Sequence, residues 1–212
     1  MGAKLATFRD DDMSGMLACT CLNRTEIYHT FKHFSALYEL YTPSEGEQRS
    51  SIIDNGYINP EVTLPVQHIL DNLPQMKTNP LSARILKVFT FGSEKEGFMN
   101  FLEFLEMISV FNPKTSIQVR TVYAFRVYDL DGDGIISRSD LDTLLDLLTS
   151  TSNVEEEDGP EDEMWTQTKQ VTIDGVFKEV NKEVKADGLS SEDFSFALSR
   201  SPDFISTFSF RL

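Results

Sequence analysis

Residues 129–140 read D-L-D-G-D-G-I-I-S-R-S-D, and this stretch restricts the chain's fold more than any other. Asp129, Asp131 and Asp133 fall at positions 1, 3 and 5 of a twelve-residue loop, each able to aim a carboxylate inward. Gly134 at position 6 permits the sharp bend that wraps a chain around an ion. Ile135 at position 7 offers its backbone carbonyl, and Ser137 at position 9 offers an oxygen directly or through water. Asp140 closes the loop at position 12. Hard cations want about six to eight oxygens, and this spacing supplies them from one turn of chain. Ala124, Phe125 and Tyr128 are the apolar positions of a helix running in. Leu141, Leu144 and Leu145 are those of a helix running out. Three aspartates, the glycine and both helices in register argue against a metal-free acidic turn.

The unit is therefore an EF-hand, a helix–loop–helix cation site. Such hands come in pairs, and Ile136 at position 8 is the apolar residue that bridges to a sister loop. Position 12 usually carries a bidentate Glu. Asp140 is shorter by one methylene and less able to reach with both oxygens. That weakens calcium selectivity and admits magnesium, which prefers six ligands at shorter range. The expectation is one site per chain, open to Ca2+ or Mg2+.

Three further hands are expected, all damaged. Residues 92–103 have Gly97 at position 6, Met99 at position 8 and Glu103 at position 12. Yet position 1 is Gly92, and positions 3 and 5 are the longer Glu94 and Glu96. Near the end, Asp187-Gly188, Leu189 and Asp193 resemble the second half of a loop, but the count fails. Gly188 to Asp193 is one residue short, Asn181 to Asp193 is one long, and Lys182 and Lys185 put positive charge where carboxylates belong. Between Tyr41 and Leu70 no loop is recognisable, so a first hand there has a structural role only.

The rest of the chain reads as helices in series, with no strand longer than a couple of residues. Residues 1–21 form a loose arm. Asn23 and Glu26 make a capping box ahead of Ile27, Phe31, Phe34, Tyr38 and Tyr41, an amphipathic helix ending before Pro43. Residues 43–60 read as a long polar loop. Short helices follow over Val66–Leu73, from Leu81 through Phe89, and over Leu102–Phe111, then residues 116–128. After the metal loop come an exit helix through Leu148, an acidic insert at 152–163, a helix from Met164 to Val180, and a last one over Phe194–Leu198. The expected domains are an arm at 1–21, an N-terminal lobe at 22–112, a C-terminal lobe at 113–198 and an aromatic tail at 199–212. The fold class is all-α.

Acidic residues number 34 against 19 basic, a formal charge of −15. Such a surface repels nucleic acid and anionic headgroups and suits cations and basic partner segments. Cys19 and Cys21 sit too close in sequence for an unstrained mutual disulfide, which fits a reducing, cytosolic setting. His29 and His33 share a helix face, but zinc would need two more ligands. No apolar run approaches the ~18 residues of a membrane span. Gly2 is placed for N-myristoylation, whereas position 6 is Ala6 rather than Ser or Thr. Lipidation and an ordinary frayed terminus both remain open there. Nothing supports an enzyme: there is no phosphate-binding glycine loop, no placed Ser-His-Asp set and no metal site with an open position.

Three stretches resemble the calcium- and integrin-binding protein family: L-P-Q-M-K-T-N-P-L ending at Leu81, Y-A-F-R-V-Y-D-L-D-G-D-G from Tyr123 to Gly134, and S-R-S-P-D-F-I-S-T-F-S-F-R-L at the end. An Asp at position 12 of the third hand is a family habit. The resemblance implies two lobes of paired EF-hands and cytoplasmic partners. Those partners are helices of membrane proteins: integrin α tails and transmembrane channel-like subunits of mechanotransduction complexes. The protein would then sit at the membrane through its partner. Family members commonly load the third and fourth hands, and the fourth departs from the pattern here. A soluble calcium sensor or buffer with exchangeable targets, including a calcineurin-B-like role, is the competing reading.

An EF-hand lobe offers a groove for a partner's amphipathic helix. Its expected lining is Leu105, Met107, Ile108, Phe111, Phe125, Leu144, Leu145 and Leu148. Phe204 and Phe208 of the tail are expected to fold onto the same groove, because so many aromatics are poorly placed in water.

Overall fold

The structure is a computed structural model, which describes residues 8–42, 50–54, 56–59, 61–90, 96–149, 160–180 and 188–200. The chain divides into two compact units between Thr115 and Ser116, just beyond the expected boundary at 112.

The first unit begins with a helix where a loose arm was expected. This helix, α1, spans Asp10–Cys19. Only two of its apolar residues, Met13 and Met16, are buried, too few to show as periodicity in sequence. Three aspartates in its first turn favour it through the helix dipole. Phe8, just before it, anchors the segment. Its ring is 5.2 Å from Tyr28, 5.0 Å from Phe31 and 6.2 Å from Phe101. The helix α2, Arg24–Leu40, starts at the expected capping box: the Asn23 side chain accepts from the Glu26 amide, and Glu26 accepts from the Asn23 amide.

Within the stretch expected as a loop, β1 (Ile53–Asp54) and β2 (Tyr57–Ile58) form a hairpin. Gly56 in the turn has φ +85°, a left-handed backbone that glycine adopts without a steric penalty. The Arg9 amide donates to the Gly56 carbonyl and the Ile58 amide to Asp12, tying α1 to the hairpin. Next come β3 (Thr63–Pro65), α3 (Val66–Asn72), α4 (Pro74–Lys77), α5 (Ser82–Phe89), β4 (Phe98–Asn100) and α6 (Phe101–Val110). Strands β3 and β4 pair antiparallel with Leu64 opposite Met99, both fully buried. That bridge joins two hands, α2–α3 and α5–α6, over a core of Phe34, Phe101 and Phe104.

The second unit repeats the plan with α7 (Ile117–Tyr128), β5 (Ile136–Ser137), α8 (Arg138–Thr149), α9 (Pro160–Glu179), β6 (Gly188–Leu189) and α10 (Ser191–Ser199). Helix α9 starts at Pro160, inside the stretch expected as an acidic insert. Proline suits the first turn of a helix and acidic residues suit its dipole. Ile136 lies opposite Leu189 across β5–β6, again both buried. Phe194 of α10 packs between Phe125 and Tyr128 of α7, with ring centroids 5.8 and 5.6 Å away.

Helices α8 and α9 are joined by charge. The nearly covered Lys169 ammonium lies 3.0 Å from Asp142 and 3.0 Å from Asp146. Trp165 donates to Asp146 from 3.3 Å, and Arg138 pairs with Asp174 at 2.8 Å. The Lys169 hydrogen bond, with help from Trp165, holds the Asp146 carboxyl below its usual range against an opposing effect of burial. Asp146 and then Asp142 hold Lys169 above its own.

Two consequences are measurable. Phe8→Ala should destabilise the first unit by about 3 kcal/mol in denaturant titrations, while Leu40→Ala, at an exposed site, should stay within about 0.5 kcal/mol. The Lys169 clasp stabilises only while both partners are charged. It is complete above the ordinary carboxyl range, fades as pH falls through the depressed Asp146 value, and fades again in alkali as pH rises through the raised Lys169 value. The stability gap between the parent and Asp146→Asn should therefore be widest near neutrality and close in acid.

Candidate metal centre

The loop between α7 and α8 brings three of its expected ligands together. Asp129, Asp131 and Asp133 each place an oxygen within 4.8 Å of the others. Backbone amides set their directions. Asp129 accepts from Gly132 at 2.7 Å and Gly134 at 3.0 Å. Asp131 accepts from Asp133 at 3.2 Å, and Asp133 from Ile135 at 2.8 Å. Gly132 and Gly134 have φ of +80° and +89°, the left-handed turns that fold these amides back. A carboxylate has about four acceptor sites, so accepting from one or two amides is compatible with holding a cation as well. Three like charges this close repel one another, so a cation among them relieves that repulsion. The donor set, oxygen-only and acidic, fits a hard divalent ion.

Asp140 does not join that cluster. One of its oxygens accepts from the Ser137 amide (2.8 Å) and hydroxyl (2.7 Å), and the other from the Leu130 amide (3.3 Å). The Ser137 hydroxyl in turn accepts from the Asp140 amide at 3.1 Å. Asp140 thus caps α8 and closes the two ends of the loop, and both it and Asp129 are only 5% exposed. Among the described residues no other group of three His, Cys, Asp or Glu side chains is arranged for a metal, and His29 and His33 belong to none.

The bridges also settle the count in the other hands. Leu189 opposite Ile136 makes Leu189 the position-8 residue, so counting along the sequence numbers the fourth hand 182–193 and puts Gly188 at position 7. Positions 1, 3 and 5 become Lys182, Val184 and Ala186, without a carboxylate among them. Ser190 and Asp193 nevertheless repeat the cap seen at Ser137 and Asp140. In the second hand Met99 is confirmed at position 8, with Asn100 and Glu103 in a capping box. Leu64 opposite Met99 reveals the first loop as 57–68, from Tyr57 to His68, which sequence reading had not recognised. His68 there shares a 2.8 Å hydrogen bond with the Leu37 carbonyl. The one signal available in sequence was Leu64, an apolar residue just ahead of a helix.

Six of the eight residues expected to line the groove are buried. Leu105, Met107, Ile108, Phe111, Phe125 and Leu144 are buried in their units, where helix packing uses them as core. Leu145 is half-buried and Leu148 is 44% exposed. Gly2, Phe204 and Phe208 lie outside the described residues. Besides Val171 midway along α9 and Ile135 in the metal loop, sequence reading missed a set of exposed apolar residues in the second unit: Val119 and Val122 lie on α7, Leu147 beside Leu148 on α8, Met164 on α9 and Phe196 on α10. The loops join the end of α7 to the start of α8, and the end of α9 to the start of α10. The residues of that set therefore all fall toward the helix ends remote from the loops.

No helix among the described residues is long and apolar enough to cross a membrane. No family model matches the chain. Curated proteins do. Calcium and integrin-binding family member 2 of Drosophila melanogaster is 31% identical over 216 residues, covering both chains completely. The protein of that name from Homo sapiens is 28% identical over 213 residues, again covering both. The calcineurin B protein of Naegleria gruberi is 30% identical over 152 residues, 72% of this chain and 73% of its own. With four hands bridged in pairs, and a likeness to the Drosophila protein that runs from end to end, the chain belongs to the calcium- and integrin-binding family of EF-hand proteins.

Proposed function

We propose that this protein is a regulatory subunit that binds one calcium or magnesium ion in the 129–140 loop and grips an amphipathic cytoplasmic helix of a membrane protein. The observation that carries the second half is the collection of exposed apolar side chains at the loop-remote end of the metal-bearing unit. Four helices contribute to it, as they would to a groove that takes up the apolar face of a helix. A chain charge of −15 favours a partner helix with basic residues around that face. An integrin α tail or a channel segment is the class of partner that the family resemblance implies, and such a partner would hold the protein at the cytoplasmic side of a membrane. Acylation at Gly2 would add one reversible anchor and is not required for the grip.

In the metal loop, Asp129, Asp131, Asp133 and the Ile135 carbonyl would hold the ion, with Asp140 acting through Ser137 or water unless its carboxylate swings inward. The bound ion supplies positive charge that joins the two flanking helices through one centre. Single-site binding with a short twelfth residue favours a structural clamp over a buffer. The match to calcineurin B keeps a sensor with exchangeable soluble targets as the second reading, and co-purification from membranes with and without chelator separates the two. A buffer stays soluble under both conditions.

Calorimetry should find one calcium site, abolished by Asp129→Ala. Asp140→Glu restores bidentate reach and should raise the calcium-to-magnesium affinity ratio by about tenfold, roughly 1.4 kcal/mol. A ratio that is level or lower removes the argument from side-chain length. For the groove, an integrin α tail peptide should bind Leu148→Asp or Phe196→Asp at least about tenfold more weakly than the parent. It should bind a chain truncated before Pro202 more tightly, because a tethered aromatic tail competes for the same apolar surface at high local concentration. Unchanged affinity in the two aspartate variants would place the partner elsewhere.

A further inference from the structure

Gly188 differs from the other glycines of the second unit. Gly132 and Gly134 sit in open space and are needed for their left-handed backbone. Gly188 is not left-handed, and space is what it lacks. A methyl group placed on it would overlap Ile135 Cγ2 and fall 2.8 Å from the Ile136 carbonyl oxygen and 3.2 Å from its carbon. Neither obstacle is a flexible side-chain end: one is a branch at a β-carbon and the other is backbone. Strand β6 can lie against β5 in its present register, Ser137 opposite Gly188, only because position 188 carries no side chain.

The residue it touches matters. Ile135 is held on one side by Gly188 and on the other by its own amide, which donates to Asp133 at 2.8 Å. Because the Ile136 carbonyl also stands in the way, the backbone of β5 has to yield, and a backbone shift at Ile135 moves the carbonyl at position 7 and turns the carboxylate at position 5. We infer that Gly188, in a hand with no carboxylate at positions 1, 3 or 5, is a positioning residue for cation binding in the neighbouring hand. Its missing side chain seats Ile135, and Ile135 aims Asp133. This rests on the cation reading of the 129–140 loop. It also assigns work to a hand whose positions 1, 3 and 5 hold no carboxylate.

A double-mutant cycle with calcium as the probe tests it. Gly188→Ala should lower calcium affinity at least tenfold and speed hydrogen exchange at the Ile136 and Leu189 amides of the metal-free protein. Ile135→Ala should lower affinity severalfold, since the packing over Gly188 is lost. The double variant should bind more tightly than the sum of the two single losses allows, because the Ile135 branch is gone and only the 2.8 Å contact with the Ile136 carbonyl oxygen remains. Losses that simply add, or a folded Gly188→Ala chain with parental affinity, overturn the inference while leaving the cation site intact. A parent chain that takes up no calcium overturns the cation reading and this inference with it. If Gly188→Ala fails to fold, the double decides: a folded, calcium-binding double upholds the route through Ile135, and an unfolded one overturns it.

Discussion

Two short antiparallel bridges hold the hands of this protein in pairs, Leu64 against Met99 in one unit and Ile136 against Leu189 in the other. A twelve-residue loop with its polar backbone folded around an ion has little to bury by itself. Pairing satisfies the exposed amides and carbonyls at the middle of each loop and buries one apolar side chain from each side. Everything else is arranged around that contact. The bridge sets where each exit helix begins, and the caps at Asn100, Ser137 and Ser190 follow one residue after the bridging side chain.

This dependence explains why three hands without a full ligand set keep the geometry of hands. The fourth hand carries no carboxylate at positions 1, 3 and 5, yet it keeps both the bridge and the cap. Position 12 shows the change of duty. Glu103, Asp140 and Asp193 all accept from the backbone amide of position 9, and His68 turns to the carbonyl of Leu37. In the 129–140 loop this local duty would compete with metal coordination by Asp140. The Asp140 carboxylate has amide and hydroxyl partners to give up before it can reach inward, whereas Asp129, Asp131 and Asp133 already place their oxygens within 4.8 Å of one another while keeping their backbone bonds.

The second unit also separates its two kinds of helix contact. Helices α7 and α10 meet through aromatic rings, and α8 and α9 through Lys169 and Arg138. Ring packing is insensitive to pH and salt. Exposed ion pairs are not, and they are individually weak unless they form a network. Lys169, shared between two aspartates and nearly covered, is such a network, so the exit helix of the metal loop is tied more firmly to α9 than surface pairs would achieve.

The metal loop and the helices beside it were readable from the string of residues, because all of their determinants are local. The glycine turns, alternating aspartates and the capping box at Asn23 and Glu26 each act within about five residues of themselves. The first loop was not readable, because Leu64 is the one residue within 57–68 that marks it, and only the approach of Met99 from far along the chain makes Leu64 a bridging residue. The fourth loop could be seen but not counted, since its register is decided by the contact of Leu189 with Ile136. Helix α1 depends on Phe8 finding Tyr28, Phe31 and Phe101. Which apolar residues would be core and which would face outward was likewise decided by packing. Leu105 and Leu148 look alike in sequence, yet only assembly of the helices buries one and leaves the other at the surface. Local chemistry wrote the ion site, and long-range pairing chose its frame and its exposed face.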